Sequence, residues 1–291
     1  MKQGHFPEWL HRKLPASDSL SKTRLSIVKN RLHTVCEEAK CPNLMECYSK
    51  KTATFLVMGK GCTRACPFCD IDFSKKPVPL DEEEPANVAE AVFELGLKHV
   101  VITMVARDDL ADGGAAHLIK VMQAVRKKCP NTTLEVLTSD FQGSTQALDM
   151  VLHEKPEIFN HNVETVQRLT PKVRHTATYE RSLMMLQHAK KHNPKQLVKS
   201  GLMVGLGEEQ EEILAALQDL HQAGCDIVTI GQYLKPSSRK LEVKAFIPPS
   251  QFDAYAAWGK KLGLKYVYAG PFVRSSYNAG VVWNNMNIES Q

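Results

Sequence analysis

Six of the eight cysteines in this 291-residue chain stand in two tight groups. Cys36, Cys41 and Cys47 make C-x4-C-x5-C, and Cys62, Cys66 and Cys69 make C-x3-C-x2-C. The opening MKQGHFPEWL has no apolar core of a secretory leader, so the expectation is a cytoplasmic chain whose thiols stay reduced. Clustered thiols in that setting point to metal or redox chemistry rather than to disulfides. The second group offers three thiolates and no obvious fourth ligand. A closed zinc site wants four ligands, whereas a [4Fe-4S] cube can be held by three thiolates with one iron left open. The open iron is the useful feature. It can chelate the amino and carboxylate groups of S-adenosylmethionine, and one electron from the cube then cleaves the sulfonium to a 5′-deoxyadenosyl radical. A zinc knuckle and a thioredoxin-like pair at Cys66 and Cys69 compete with this reading, and both leave the third cysteine at this spacing unexplained. Cys129 and Cys225 stand alone and read as small buried residues.

These thiols need a scaffold, and the chain supplies a βα alternation. Short β-branched runs are predicted as strands over Ala53–Met58, Lys98–Thr103, Thr133–Leu137, Glu157–Asn162, Val198–Val204, Asp226–Gln232 and Lys265–Tyr268. Helical periods lie between them, for example Ala115–Lys127, Tyr179–Lys191, Glu208–Ala223 and Pro249–Leu262. Alternation of this kind predicts a parallel sheet with right-handed crossovers, closed partly or wholly into a barrel. In such a barrel the active site sits at the carboxyl ends of the strands, and the Cys62–Cys69 loop follows the first of them. The acidic run Asp81–Glu84 precedes Pro85 and reads as helix N-terminal charge without a catalytic role.

Other strand ends carry polar or small residues. Asp112, Gly113 and Gly114 follow the strand ending at Thr103, where a glycine pair lets backbone approach a ligand. Asn162 and Glu164 are placed for ribose hydroxyls, and Gly201, Met203, Gly205 and Glu208 for adenine. Each alone also fits ordinary turn geometry, and recurrence on successive strands favours a shared ligand.

The chain resembles the lipoyl synthases, members of the radical S-adenosylmethionine superfamily. The resemblance rests on CEEAKCPNLMEC (36–47), CTRACPFCDI (62–71), RDDLADGGA (107–115), FNHNVET (159–165), KSGLMVGLGE (199–208), GQYLKPS (231–237) and GPFVRSSY (270–277). It implies a partial (β/α)6-type parallel barrel of the radical SAM kind over residues 51–270. Extensions over 1–50 and 271–291 would carry the auxiliary cysteines and the RSSY motif. It implies two [4Fe-4S] clusters, one on Cys62, Cys66 and Cys69 and an auxiliary one on Cys36, Cys41, Cys47 and Ser276, with Ser275 the runner-up ligand. Lys199 joins Asp112, Gly113, Gly114, Asn162, Glu164, Gly205 and Glu208 as expected cofactor contacts. The implied reaction is insertion of two sulfur atoms at C6 and C8 of an octanoyl chain on a lysine of a lipoyl carrier domain, with sulfur drawn from the auxiliary cluster. Implied partners are octanoylated carrier domains of 2-oxoacid dehydrogenase E2 subunits and of the glycine cleavage H protein, an electron donor, and cluster-repair proteins. Met104, Ala106, Tyr48 and the pair Thr138 and Ser139 depart from the family's usual Ser, Asp, Trp and Ile-Pro, and none is an expected cluster ligand.

Composition excludes other classes. At 43% hydrophobic and 24% charged residues, with no apolar run near the ~20 residues of a membrane span, the chain is neither disordered nor expected at a membrane. Net charge is +5, and residues 1–35 alone hold seven basic side chains (Lys2, Arg12, Lys13, Lys22, Arg24, Lys29, Arg31) against Glu8 and Asp18. Such an arm suits an acidic partner, or is simply solvated. Nucleic acid is not expected, because the arm offers only Phe6 and Trp9 for stacking. An iron–sulfur carrier explains the cysteines but not the strand-end set. A zinc protein would have to recruit His33 to Cys36, Cys41 and Cys47.

Overall fold

The computed structural model describes residues 6–13, 15, 18–73 and 76–288. Among these, one sheet runs in chain order from β1 (His33–Thr34) through β2 (Thr54–Val57), β3 (His99–Met104), β4 (Thr133–Leu137), β5 (Ile158–Asn160), β6 (Leu197–Val204) and β7 (Ile227–Gln232) to β8 (Tyr266–Gly270). The short β1 pairs antiparallel with β2, and every later pair is parallel. The parallel run thus has one strand beyond a six-stranded core, and all seven strands expected from the sequence are present. Strands covered on both faces read as continuous apolar runs, and β2 and β7 are buried along their whole length. Helices such as Glu84–Leu95, Ala115–Lys128, Tyr179–His192 and Pro249–Leu262 form the connections. No helix among the described residues is long and apolar enough to cross a membrane.

Alternate strand residues face the lumen, as the period of two requires. Below its open end the lumen holds a polar layer. Lys199 on β6 is fully buried and donates to both carboxylate oxygens of Glu135 on β4, at 2.9 and 3.1 Å. Asn160 donates to Glu135 at 2.8 Å, and His99 Nε2 stands 3.6 Å from it. Burial alone would raise the Glu135 carboxyl, yet Lys199 and His99 hold it down at about 2. Lys199 is therefore engaged by Glu135 in the barrel interior, and it is absent from the wall of the cavity described below.

The amino-terminal mouth of the barrel is filled by the C-terminal helix Ala279–Ile288. Its Val282 and Met286 pack on Ile158 and Ile227, the first residues of β5 and β7, and Trp283 stacks on His99, the first of β3. With this mouth filled, the opposite one is the open end among the described residues.

Candidate active site

At the carboxyl mouth lies a cavity of about 590 Å3. All six clustered cysteines line it, together with Ser275 and Ser276, Asn162, Glu164, Gly201 and Met203. The two thiol groups arrive on separate segments. Cys36 sits in the short helix Val35–Glu38, capped by Thr34, and Cys47 in the helix Leu44–Ser49. The 62–69 loop leaves β2 at Met58, whose φ of 70° turns the chain sharply. The Met58 N–H is held by the Glu84 carboxylate at 2.9 and 3.1 Å, and Glu84 also meets His117 Nε2 at 2.6 Å. Glu84 is thus a buried brace of the cysteine loop and does more than charge a helix end.

Farther along, Cys62 N–H bonds Asp72 O at 2.8 Å, and Cys69 N–H bonds Cys66 O at 3.1 Å. Arg64 between the cysteines donates twice to Asp108, at 2.7 Å each, and reaches Asp140 at 2.6 Å. Against burial, which would raise it, Arg64 keeps the Asp140 carboxyl at about 2. This fork fixes the loop through charge-assisted bonds that a lysine could not reproduce.

The far wall is built on β5 and β6. Asn162 donates to Glu164 at 3.0 Å and to Ser275 Oγ at 3.3 Å, while its Oδ1 has no partner. Thr138 Oγ1, also on the wall, has none either. Buried polar atoms left this way are costly, so both are free to bond a ligand in the cavity. Glu164 holds φ 68° and its carboxyl is pushed up by burial, with Arg174 and Asn162 pulling the other way. Behind them His161 is buried and held down at about 3 by burial and by Arg174. It is therefore neutral, with Nδ1 donating to Thr138 O at 3.0 Å and Nε2 accepting from Arg174 at 3.3 Å. A Cβ on Gly201 would come within 2.6 Å of Thr229 Oγ1 and 3.0 Å of Asn162 Oδ1, so glycine keeps this corner open. Met104, Ala106, Thr138 and Ser139, which depart from the family pattern, all face the cavity.

Several expected contacts lie elsewhere. Asp112 accepts from Gly114 N–H at 2.9 Å and Ala116 N–H at 2.8 Å, capping the helix Ala115–Lys128. Gly113 and Gly114 take φ of 60° and 91°, and a Cβ on Gly114 would strike Met58 Sδ at 2.3 Å. Glu208 braces its own turn by accepting from Gly205 N–H at 2.8 Å and Leu206 N–H at 3.0 Å. On Gly205 a Cβ would meet Gln232 at 2.2 Å. These five residues shape turns and are absent from the cavity wall. His33 engages Glu38 at 3.3 Å and does not join the cysteines. Of the isolated thiols, Cys225 is buried as expected, while Cys129 is half-buried. Arg12 and Lys29 of the basic arm pair with Glu46 and Glu94 from exposed positions, and Lys13 and Lys22 are exposed as well. Lys2 lies outside the described residues.

Two sets of three thiols around one cavity have the donor chemistry that iron–sulfur sites use. Among the described residues no three His, Cys, Asp or Glu groups converge on a point where one metal could sit. A cube places each thiolate on its own iron and needs no such convergence. Arg274 lines the cavity beside Cys41. Its charge is disfavoured by burial, and Cys41 is the nearby group that favours it. A cation so placed matches the negative charge of a thiolate-ligated cube.

The family model for the Radical SAM superfamily matches residues 56–231. The chain is 61% identical over 286 residues to a protein named lipoyl synthase from Protochlamydia amoebophila, covering 98% of this chain and 88% of that one. It is 53% identical over 282 residues to the lipoyl synthase of Chlamydia muridarum, covering 97% and 91%. Among solved structures it is similar to a methylornithine synthase, with a TM-score of 0.51 and 15% identity over 88% of this chain and 79% of that one. It is also similar to HydG, a maturase of the [FeFe]-hydrogenase, with a TM-score of 0.57 and 13% identity over 87% and 67%. At such identities the structural likeness speaks for the fold alone.

Proposed function

Because the chain belongs to the lipoyl synthase family of the radical SAM superfamily, and so to the radical SAM sulfurtransferases, we propose that it inserts sulfur at C6 and C8 of a carrier-bound octanoyl chain. The observation that carries this reading is the meeting of both cysteine groups with Ser276 around one cavity. We assign Cys62, Cys66 and Cys69 to a [4Fe-4S] cluster with an open iron, and Cys36, Cys41, Cys47 and Ser276 to an auxiliary one. Residues 51–270 form the catalytic barrel in this reading, and 1–50 and 271–291 bring the two halves of the auxiliary site. When bound, the two clusters and S-adenosylmethionine supply one-electron cleavage of a sulfonium and the sulfur atoms themselves.

The chain's residues supply placement. Arg64 and Glu84 hold the Cys62–Cys69 loop rigid, so its thiolates are presented in a fixed fan. Asn162 Oδ1 and Thr138 Oγ1 receive the polar end of S-adenosylmethionine, and Gly201 leaves room for it. Apolar wall residues, among them Leu10, Val35, Leu56 and Met203, suit an alkyl chain and exclude water from it. An alkoxide is a harder ligand than thiolate and matches a soft iron–sulfur unit less well, so Ser276 would hold an auxiliary cluster less tightly than Cys36, Cys41 and Cys47 would.

Anaerobically purified protein should carry about eight irons. It should convert an octanoyl-lysine peptide to the lipoyl product when given S-adenosylmethionine and a reductant. Replacing Cys62, Cys66 and Cys69 by Ala should leave about four irons and abolish 5′-deoxyadenosine formation. Clusters rebuilt with labelled sulfide should give labelled product in unlabelled medium. Unlabelled product would overturn the sulfur source, and 5′-deoxyadenosine from the triple variant would overturn the cluster assignment.

A further inference from the structure

Ser276 can serve an auxiliary cluster only if its segment is held against the Cys41–Cys47 loop. Nothing in the local sequence does this, because residues 271–278 form turns between β8 and the last helix. Part of the holding is direct, between the two segments, and part comes from a third segment. Arg12 Nη1 donates to Asn43 Oδ1 at 2.9 Å and to Glu46 Oε2 at 2.7 Å, both residues lying between Cys41 and Cys47. The same guanidinium lies 3.5 Å from the centre of the Phe272 ring and 5.7 Å from that of Tyr277. Asn43 Nδ2 donates to Phe272 O at 2.7 Å, and Tyr277 O–H donates to Glu46 Oε1 at 2.9 Å. Phe272 and Tyr277 bracket Arg274, Ser275 and Ser276. One side chain thus touches the cysteine loop on its polar edge and the serine segment on its face.

We propose that Arg12 is a positioning residue for Ser276, pinning the 272–277 segment to the auxiliary cysteine loop. This rests on the assignment of Ser276 and the first cysteine group to an auxiliary cluster. The role calls for arginine. A planar guanidinium can bond at its edge and lie over an aromatic ring at once, whereas an ammonium is a compact point charge. The pin also gives Arg12, although it belongs to a basic arm, a fixed set of partners on the chain itself. A neutral replacement leaves Asn43 and Tyr277 with their own bonds, so the segment is loosened rather than lost.

The test compares full-length wild type, Arg12→Gln, Arg12→Lys and Tyr277→Phe, each purified anaerobically with clusters in place. Hydrogen exchange of the amides over 271–278 is followed beside that of β3 and β6. In Arg12→Gln, exchange over 271–278 should quicken by about tenfold while the strands are unchanged. Arg12→Lys should behave more like Arg12→Gln than like wild type, and Tyr277→Phe should be intermediate. In the same variants 5′-deoxyadenosine formation should persist while sulfur-inserted product per 5′-deoxyadenosine falls. A purely structural defect would lower both together, together with the melting temperature, and that result overturns the proposal. Unchanged exchange in Arg12→Gln, or full function in Arg12→Lys, overturns it as well. A wild type holding only one cluster would overturn the underlying assignment and this one with it. Two clusters in the wild type with an indifferent Arg12 would overturn this one alone.

Discussion

Replacing Lys199 by Met separates a structural from a cofactor-binding role for this lysine. The side chain is completely buried and sits on Glu135 at 2.9 and 3.1 Å, so its removal strands a carboxylate in the barrel interior. Breaking a buried pair from one side costs about 3–5 kcal/mol. For a chain of this size that lowers the melting temperature by roughly 5–8 °C. A second figure comes from acid. Glu135 is held at about 2 against an ordinary 4.5, and a depressed carboxyl stabilises the fold above its unfolded value and loses that contribution as pH falls toward 2. The interval is worth about 3 kcal/mol in wild type. Without Lys199 the same carboxyl is raised, which gives the opposite slope: the variant gains stability as pH falls toward 4.5. The gap between wild type and Lys199→Met should therefore narrow when melting by circular dichroism is compared from pH 8 down to 5. Adding Glu135→Leu removes the stranded charge, so the double variant should recover most of the lost stability and also cleave S-adenosylmethionine. A double variant that melts like wild type yet fails to bind S-adenosylmethionine would refute the structural role and restore the cofactor contact.

Asn162→Ala removes an unpartnered acceptor from the cavity wall and should weaken S-adenosylmethionine binding by about tenfold in equilibrium dialysis, with unchanged binding counting against the wall assignment. Asp112→Ala should cost about 1 kcal/mol as a lost helix cap, seen as a small drop in melting temperature, while S-adenosylmethionine binding stays the same. Reversing the exposed charges Lys13 and Lys22 to Glu should slow turnover on an intact acidic carrier domain several-fold at low ionic strength. The effect should fade once the screening length drops to ~10 Å at 0.1 M salt, and turnover on an octanoyl-lysine peptide should be spared throughout. Equal losses on both substrates would assign the arm a role in folding instead.

What could be read along the chain was whatever is local. The Cys62–Cys69 spacing and the β-branched runs are properties of a few neighbouring residues, and both correspond to what is folded. The glycine and acid residues at 112–114 and 205–208 were legible as special but not as to purpose, because a turn and a ligand cradle select the same residue types. Lys199 was ambiguous for a different reason. Strand periodicity places it facing the lumen, yet only depth in the barrel decides whether a lumen residue meets Glu135 or the cavity. Glu84 sat in a run of four acids, and nothing near it announces Met58 or His117, 26 and 33 residues away. Arg12 is the extreme case, since its partners lie 31 and 34 residues on and at the opposite end of the chain.

That last separation bears on synthesis. The contacts joining the first cysteine loop to the serine segment span 229 and 231 residues. At translation rates of ~5–20 residues per second, the loop emerges roughly 10–45 s before its counterpart exists. Through that interval the nascent chain displays three thiols that cannot yet be enclosed, and the mouth of the half-built barrel at the other end lacks its plug. The meeting of these two segments is therefore a late event, close in time to the arrival of the last helix. A chain stopped before residue 270 would hold most of its sheet but lack both the serine segment at one mouth and the helix that fills the other.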